Sequence, residues 1–145
     1  MTTFSKLLFA GLFGILYTAF GLTMILSALL PGAAEITLPW MIPTDPAGGF
    51  VLCVVGTVFL FAWQKLAAAS GDGYAFLCMG MALAALFGIV ALVAGLARGI
   101  EMLVFGDGEP WSPAGLLVPM FWLALVPSLA LFTWGRVFMH DLVGA

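Results

Sequence analysis

The chain has 145 residues, of which 64% are hydrophobic and 8% are charged, and its mean hydropathy is +1.23. Soluble domains carry about 25% charged residues, so this composition excludes an ordinary soluble protein and predicts an integral membrane protein. The formal charge is only −3 and the four basic residues are scattered. Without a basic patch to neutralise phosphates, nucleic acid is excluded as a partner.

Four apolar runs follow one another along the chain. Each is near or above the roughly 20 residues that an α-helix needs to cross about 30 Å of hydrocarbon. They predict an all-α fold, a four-transmembrane-helix bundle that forms one domain over residues 1–145. The predicted helices cover about 7–30, 49–69, 74–97 and 114–135. The first run is longer than the about 7 to 15 apolar residues of a signal peptide, so we expect it to be retained.

The basic residues near the helix ends indicate how the helices are oriented. Lys6 precedes the first run, Lys65 closes the second in "WQK", and Arg136 closes the fourth in "WGR". Cationic loops tend to stay in the cytoplasm, and an inner N-terminus puts these three residues inside and Arg98 alone outside. We therefore predict a protein of the plasma (inner) membrane with both termini in the cytoplasm.

The outer side receives most of the acidic residues. Glu101, Asp107 and Glu109 lie close to Arg98 in sequence, and together they form a predicted outer-face polar cluster. Arg98 and Glu101 can pair at i, i+3 on one helix. We favour this pairing over a calcium site, because two carboxylates one residue apart are weak evidence for a metal.

The two outer loops share a sequence pattern. "EITLPWMIPTDPAGG" and "GDGEPWSPAG" each contain an acid, Pro-Trp and Pro-Ala-Gly, and each leads to a helix that ends in Trp-x-Lys or Trp-x-Arg. Two parallel helical-hairpin repeats would have this pattern. The alternative is that Pro, Gly and Trp recur because membrane turns favour them, and the sequence leaves both interpretations open.

Helix three carries small residues at intervals of three or four, which places them on one face of the helix. This small-residue seam consists of Gly80, Ala84, Gly88, Ala91, Gly95 and Gly99. In lipid, small residues let a second backbone approach closely, so we predict helix packing here. Helix one has a shorter set, Ala10, Gly14 and Thr18, and we expect helices one and three to cross closely.

The fourth run contains Pro119 and Pro127. Each proline removes a backbone donor inside the predicted helix, so we expect two kinks. Kinks in membrane helices sometimes mark binding sites, but neighbouring hydroxyls can also repair the lost hydrogen bonds. Ser128 and Thr133 are close enough in sequence to help, and we favour the structural interpretation.

Groups that could perform chemistry are missing from the apolar runs. Between the interfacial anchors these runs contain no Asp, Glu, Lys, Arg or His, whereas proton pumps and ion pathways usually keep an ionisable residue at depth. His140 is the only histidine, and Cys53 and Cys78 are expected near opposite sides of the membrane, at the outer end of helix two and the inner end of helix three. We predict a protein that is not an enzyme, with no catalytic residue, no cofactor, no metal and no disulfide.

These observations predict a non-catalytic integral membrane subunit or accessory protein of a larger membrane complex, acting through helix packing. Its expected partners are membrane lipids and other membrane subunits or copies of itself. The alternative is a small oligomeric channel or carrier that uses the proline-kinked fourth helix. The four-span layout is shared by many small membrane proteins, including DoxX-like ones, and no diagnostic motif of a family accompanies it.

Overall fold

The computed structural model describes residues 3–30, 45–106 and 119–143, and these ranges are helical apart from the turns. The helices are α1 (Thr3–Leu29), α2 (Pro46–Ala67), α3 (Asp72–Phe105) and α4 (Pro119–Val143). Three of them, α1, α2 and α3, are long and apolar enough to cross a membrane, and α4 contributes the shorter apolar segment Trp122–Gly135. The predicted all-α architecture is confirmed.

Helix α3 extends well beyond its predicted end. It has 34 residues and ends at Phe105, where the sequence predicts an end near residue 97. At 1.5 Å per residue it is about 51 Å long, which exceeds the about 30 Å of the hydrocarbon layer. The predicted helix ends before the first charged residue, Arg98, although Arg and Glu are good helix formers. The described helix instead ends before Gly106, whose φ of +67° suits a glycine that follows a helix.

The turn between α2 and α3 is tight and hydrogen-bonded. The Ser70 N–H donates to the Lys65 carbonyl at 3.0 Å, and the Ala69 N–H donates to the Leu66 carbonyl at 3.1 Å. These two bonds define a Schellman motif, in which the residue after the helix end adopts a left-handed conformation. Ala69 occupies that position with φ of +53°, where glycine is the usual residue. The turn therefore holds a strained alanine.

The helices run alternately up and down the bundle. Gly21 of α1 lies against Gly49 at the start of α2, and Gly14 lies against Leu60 near its end, so α1 and α2 are antiparallel. The turn after α2 reverses the chain again, and α4 runs antiparallel to α1. One end of the bundle therefore holds the start of α1, the end of α2, the start of α3 and the end of α4. We call it the basic end, because it carries Lys6, Lys65 and Arg136.

The expected close crossing of helices one and three is wrong. Among the described residues, the extensive backbone contacts run between α1 and α2, between α2 and α3, and between α3 and α4. Gly14 and Thr18, which the sequence analysis assigned to a contact with helix three, face Leu60 and Gly56 of α2 instead. The reason is that α2 also presents small residues to α1, whereas the sequence analysis considered only the seam of helix three.

Aromatic side chains form much of the core. Phe59 of α2 is fully buried, and the Tyr17 ring stacks on it with centroids 5.9 Å apart. Phe9 contacts Phe13 at 4.4 Å and meets the Trp134 ring edge-on at 5.2 Å. The cluster thus joins α1, α2 and α4, and Trp134, which the sequence places at the membrane interface, packs partly inside the bundle.

Candidate functional site

Pro127 lies buried inside α4. Because proline has no N–H, the carbonyl four residues earlier, that of Leu123, loses its intrahelical donor. The Tyr17 hydroxyl of α1 donates to this carbonyl at 2.7 Å, and the bond is buried. A side chain from another helix therefore satisfies the group that the proline leaves without a donor.

Ser128 and Thr133 bond elsewhere. The Ser128 hydroxyl donates to the Ala124 carbonyl at 2.6 Å, and Thr133 donates to the carbonyls of Leu129 and Ala130. Ser128 was expected to donate to the carbonyl that lacks a donor because of Pro127, but it donates to the next carbonyl along the chain. Sequence reasoning missed Tyr17, although a signal was present, since a tyrosine in an apolar run needs a hydrogen-bond partner.

Three further hydroxyls of the apolar helices bond back to the backbone of their own helix. Thr18 donates to the Gly14 carbonyl at 2.8 Å, Ser27 to Met24 at 2.9 Å and Thr57 to Cys53 at 2.7 Å. In the described part of the chain, every buried side-chain nitrogen or oxygen has a partner, and His, Cys, Asp and Glu nowhere form a group of three that could hold a metal. The described hydroxyls of these helices are therefore already engaged in hydrogen bonds within the chain.

The tightest helix contact is the α1–α2 glycine seam, formed by Gly14, Gly21, Gly49 and Gly56. A Cβ atom at Gly21 would lie 2.6 Å from the Gly49 carbonyl oxygen and 2.8 Å from the Cys53 nitrogen. A Cβ atom at Gly56 would overlap the Thr18 hydroxyl and lie 2.7 Å from the Thr18 nitrogen. Sequence reasoning missed this contact, although the glycines of each helix are seven residues apart, the spacing of two turns on one helix face.

Part of the predicted small-residue seam of α3 faces the rest of the chain. A Cβ atom at Gly80 would lie 3.2 Å from the Phe59 ring, and one at Gly88 would lie 2.7 Å from the Ala124 Cβ. Ala84, between them, is fully buried. These three residues thus lie between α2 and α4. The remaining members are half-buried or buried, namely Ala91, Gly95 and Gly99.

The other predicted positions are only partly described. Glu101 is exposed on α3, whereas the Arg98 side chain and all of Asp107 and Glu109 lie outside the described residues, so the outer-face cluster stays a prediction. Pro119 is the first described residue of α4, so no described turn precedes it that it could kink. The backbone of His140 belongs to α4, but its side chain is not described.

The two cysteines are free and half-buried. The Cys53 sulfur faces the Thr18 carbonyl across the α1–α2 contact at 4.0 Å. Cys78 lies on α3 and packs against the core.

Apolar grooves open on the surface of the described helices, among them the following two. The α3–α4 groove has a volume of about 180 Å³ and is lined by Ala85, Gly88, Ile89, Leu92, Ala124, Leu125 and Ser128. The α1–α2 groove has a volume of about 350 Å³ and is lined by Phe4, Leu7, Leu8, Gly11, Leu12, Ile15, Leu60 and Trp63. The Trp63 ring lies over Gly11, where a Cβ atom would be 3.2 Å from it. The first groove has one hydroxyl, that of Ser128, and the second is entirely apolar except for the indole N–H.

Comparison with known proteins gives a family but no close relative. The family model described as the MJ0565 integral membrane domain matches residues 5–136. No curated protein and no solved structure matches the chain. The family match covers well over half of the sequence, and its description agrees with the long apolar helices. The chain is therefore an integral membrane protein that belongs to the MJ0565 integral membrane domain family.

Proposed function

We propose that this protein is a non-catalytic membrane subunit that packs against another membrane protein or a second copy through α3. The observation that carries this proposal is the exposure of α3. Its most apolar window has a mean hydropathy of 2.6 but is only 22% buried within the chain, against 33% for α1 and 39% for α2. Of these three helices, the most hydrophobic is thus the one that the bundle covers least.

The exposed surface of α3 has the pattern of a packing face. Ile89, Val93, Leu96 and Ile100 are all exposed, and their spacing of four, three and four places them on one side of the helix. We call these four residues the outer face of α3. Such a repeat is the one by which side chains of one helix fit between those of another.

The hydrogen bonding of the apolar helices supports the non-catalytic part of the proposal. A catalyst or proton carrier needs a group that changes its partner or its charge during turnover. Here the described hydroxyls of Thr18, Ser27 and Thr57 are each bonded to a backbone carbonyl of their own helix, and Tyr17 is bonded to that of Leu123. These bonds stabilise the helices, and the hydroxyls that make them are not available to bind or transfer a proton.

Site-specific crosslinking tests the proposal. A photoreactive amino acid placed at Val93 in native membranes should give an adduct of defined mass, identified by mass spectrometry as a membrane protein or a second copy. The matched control is the same residue at Leu22, which is exposed on α1. Equal labelling at both positions, or a bare monomer from Val93 and from native mass spectrometry after gentle extraction, would contradict the proposal.

A second candidate function is a small oligomeric channel or carrier that uses α4. The α3–α4 groove favours it, because it places the Ser128 hydroxyl and the helix interrupted by Pro127 beside an opening of about 180 Å³. Flux of solutes into proteoliposomes that is lost in Ser128→Ala but retained in Thr133→Ala would support this function. A silent result across a broad panel of solutes would count against it.

We also propose that the basic end faces the cytoplasm. This end of the bundle carries Lys6, Lys65 and Arg136. Because cationic loops tend to stay in the cytoplasm, this grouping supports a cytoplasmic position. A cysteine introduced at Ser70, in a chain with Cys53 and Cys78 replaced by Ala, should react with a membrane-impermeant maleimide only after the cells are opened. Reaction in intact cells would show that the basic end faces the outside, which would contradict the proposed orientation.

A further inference from the structure

The α1–α2 groove starts at the basic end of the bundle. Phe4 lies in the first turn of α1, and Trp63 lies in the last two turns of α2. Tryptophan is enriched at the level of lipid headgroups, where its ring contacts apolar chains and its N–H contacts polar groups. The mouth of the groove is therefore expected at the membrane interface, and the groove extends from there into the hydrocarbon.

The depth of the groove corresponds to one leaflet of the bilayer. From Phe4 to Ile15 the axis of α1 advances about 16 Å, close to half of the about 30 Å hydrocarbon thickness. Its exposed wall consists of large apolar side chains, among them Leu8, Leu12 and Ile15. The Trp63 ring packs over Gly11, and the two residues form the floor of the groove. This is the shape and chemistry of a site for one extended hydrocarbon chain.

The charge at the mouth favours an anionic headgroup. Lys65 is exposed in the last turn of α2, two residues after Trp63. Lys6 lies over the Tyr74 ring with its nitrogen 4.6 Å from the centroid, which holds a second positive charge at the same end. Among the described side chains, this end has two basic residues, Lys6 and Lys65, against one acidic residue, Asp72. Basic residues beside a membrane attract anionic lipids over about a Debye length.

We infer that the α1–α2 groove binds an anionic phospholipid, with one acyl chain between α1 and α2 and the phosphate beside Trp63 and Lys65. The inference is independent of the proposed packing of α3, since the two surfaces lie on different helices. The lipid would cover the Trp63 ring and the exposed side of α1.

Photolabelling of the purified full chain in vesicles tests this inference. The vesicles contain phosphatidylcholine and a small fraction of phosphatidylglycerol that carries a diazirine on one acyl chain, and adducts are mapped by peptide mass spectrometry. We expect adducts on the groove to exceed those on the exposed part of α4 around Leu129 by about fivefold, the ratio that corresponds to the attraction of one lysine. Photoreactive phosphatidylcholine should give no such excess.

Matched variants separate the groove from the charge. Ile15→Trp should fill the groove and abolish the excess. The matched control is Leu86→Trp, since Leu86 lies on α3 outside the groove and is 61% exposed, against 64% for Ile15, and this change should leave the excess unchanged. Lys65→Gln should lower the preference for the anionic lipid, and Lys65→Arg should keep it. Adducts that follow surface exposure alone would overturn the site, and equal labelling by both lipids would overturn its anionic specificity.

Discussion

The two helical hairpins, α1 with α2 and α3 with α4, use small residues in different ways. In the first hairpin, glycines on both helices face each other's backbone, so a side chain fits at neither Gly21 nor Gly56. In the second, Gly88 faces the methyl group of Ala124, and the space beside it stays open as the α3–α4 groove. Small residues on both sides thus close the contact around Gly21 and Gly56, although the α1–α2 groove opens nearer the basic end, whereas a mainly one-sided set leaves an opening beside Gly88. The predicted repeat of two hairpins therefore does not extend to their packing.

The largest expected effect comes from adding methyl groups to the closed contact. Gly21→Ala and Gly56→Ala should each lower the free energy of unfolding by about 3 kcal/mol, because the new methyl would meet backbone atoms that cannot rotate away. Reversible unfolding in mixed detergent micelles, followed by circular dichroism, measures this change. The matched control is Gly71→Ala, since nothing lies within 4 Å of a Cβ atom there. Losses no larger than that of the control would refute the closed contact.

A smaller effect is expected from the bond that ties the two hairpins together. Tyr17→Phe removes the donor to the Leu123 carbonyl and should lower the free energy of unfolding by about 1.5 kcal/mol. Pro127→Ala restores a backbone N–H that can serve the same carbonyl.

A double-mutant cycle separates this bond from the packing of the Tyr17 ring. In the Pro127→Ala background, Tyr17→Phe should cost markedly less than in the original chain. An equal cost in both backgrounds would mean that the hydroxyl does not compensate for the proline.

Gly88→Ala tests the open hairpin and should cost less than the changes in α1–α2, about 1 kcal/mol. The added methyl would meet only the Ala124 Cβ, and α4 can shift into the adjoining groove. The same unfolding measurement applies. A cost as large as that of Gly21→Ala would show that the second hairpin is as closed as the first.

The smallest effect is a gain in the turn that connects the hairpins. Ala69→Gly should raise the free energy of unfolding by about 0.5 kcal/mol, because glycine adopts the left-handed conformation without the strain of a Cβ atom. Ala68→Gly, one residue earlier at φ of −80°, is the control and should bring no gain. A gain at both positions would point to the flexibility of the turn instead.

The all-α architecture could be predicted from the sequence, because a helix that crosses lipid needs a minimum length and an apolar composition, and the four runs have both. The sequence did not reveal which helices touch closely. The six small residues of helix three form a longer pattern than the pairs of glycines seven residues apart on α1 and α2, so the pattern pointed to the wrong pair of helices. Tyr17 shows a second limit. Its partner is a backbone carbonyl 106 residues away, and only the packing of α1 on α4 brings the two together. The grooves likewise depend on the spacing of two helices, which the residues of one helix alone do not specify.

The bond from Tyr17 to α4 also bears on how the protein is made. A membrane protein leaves the ribosome from its N-terminus, so the donor in α1 is synthesised long before the carbonyl of Leu123. When α4 is made, the Tyr17 hydroxyl of α1 is therefore already present, and the backbone of α4 obtains the donor for its Leu123 carbonyl from a helix that was synthesised earlier.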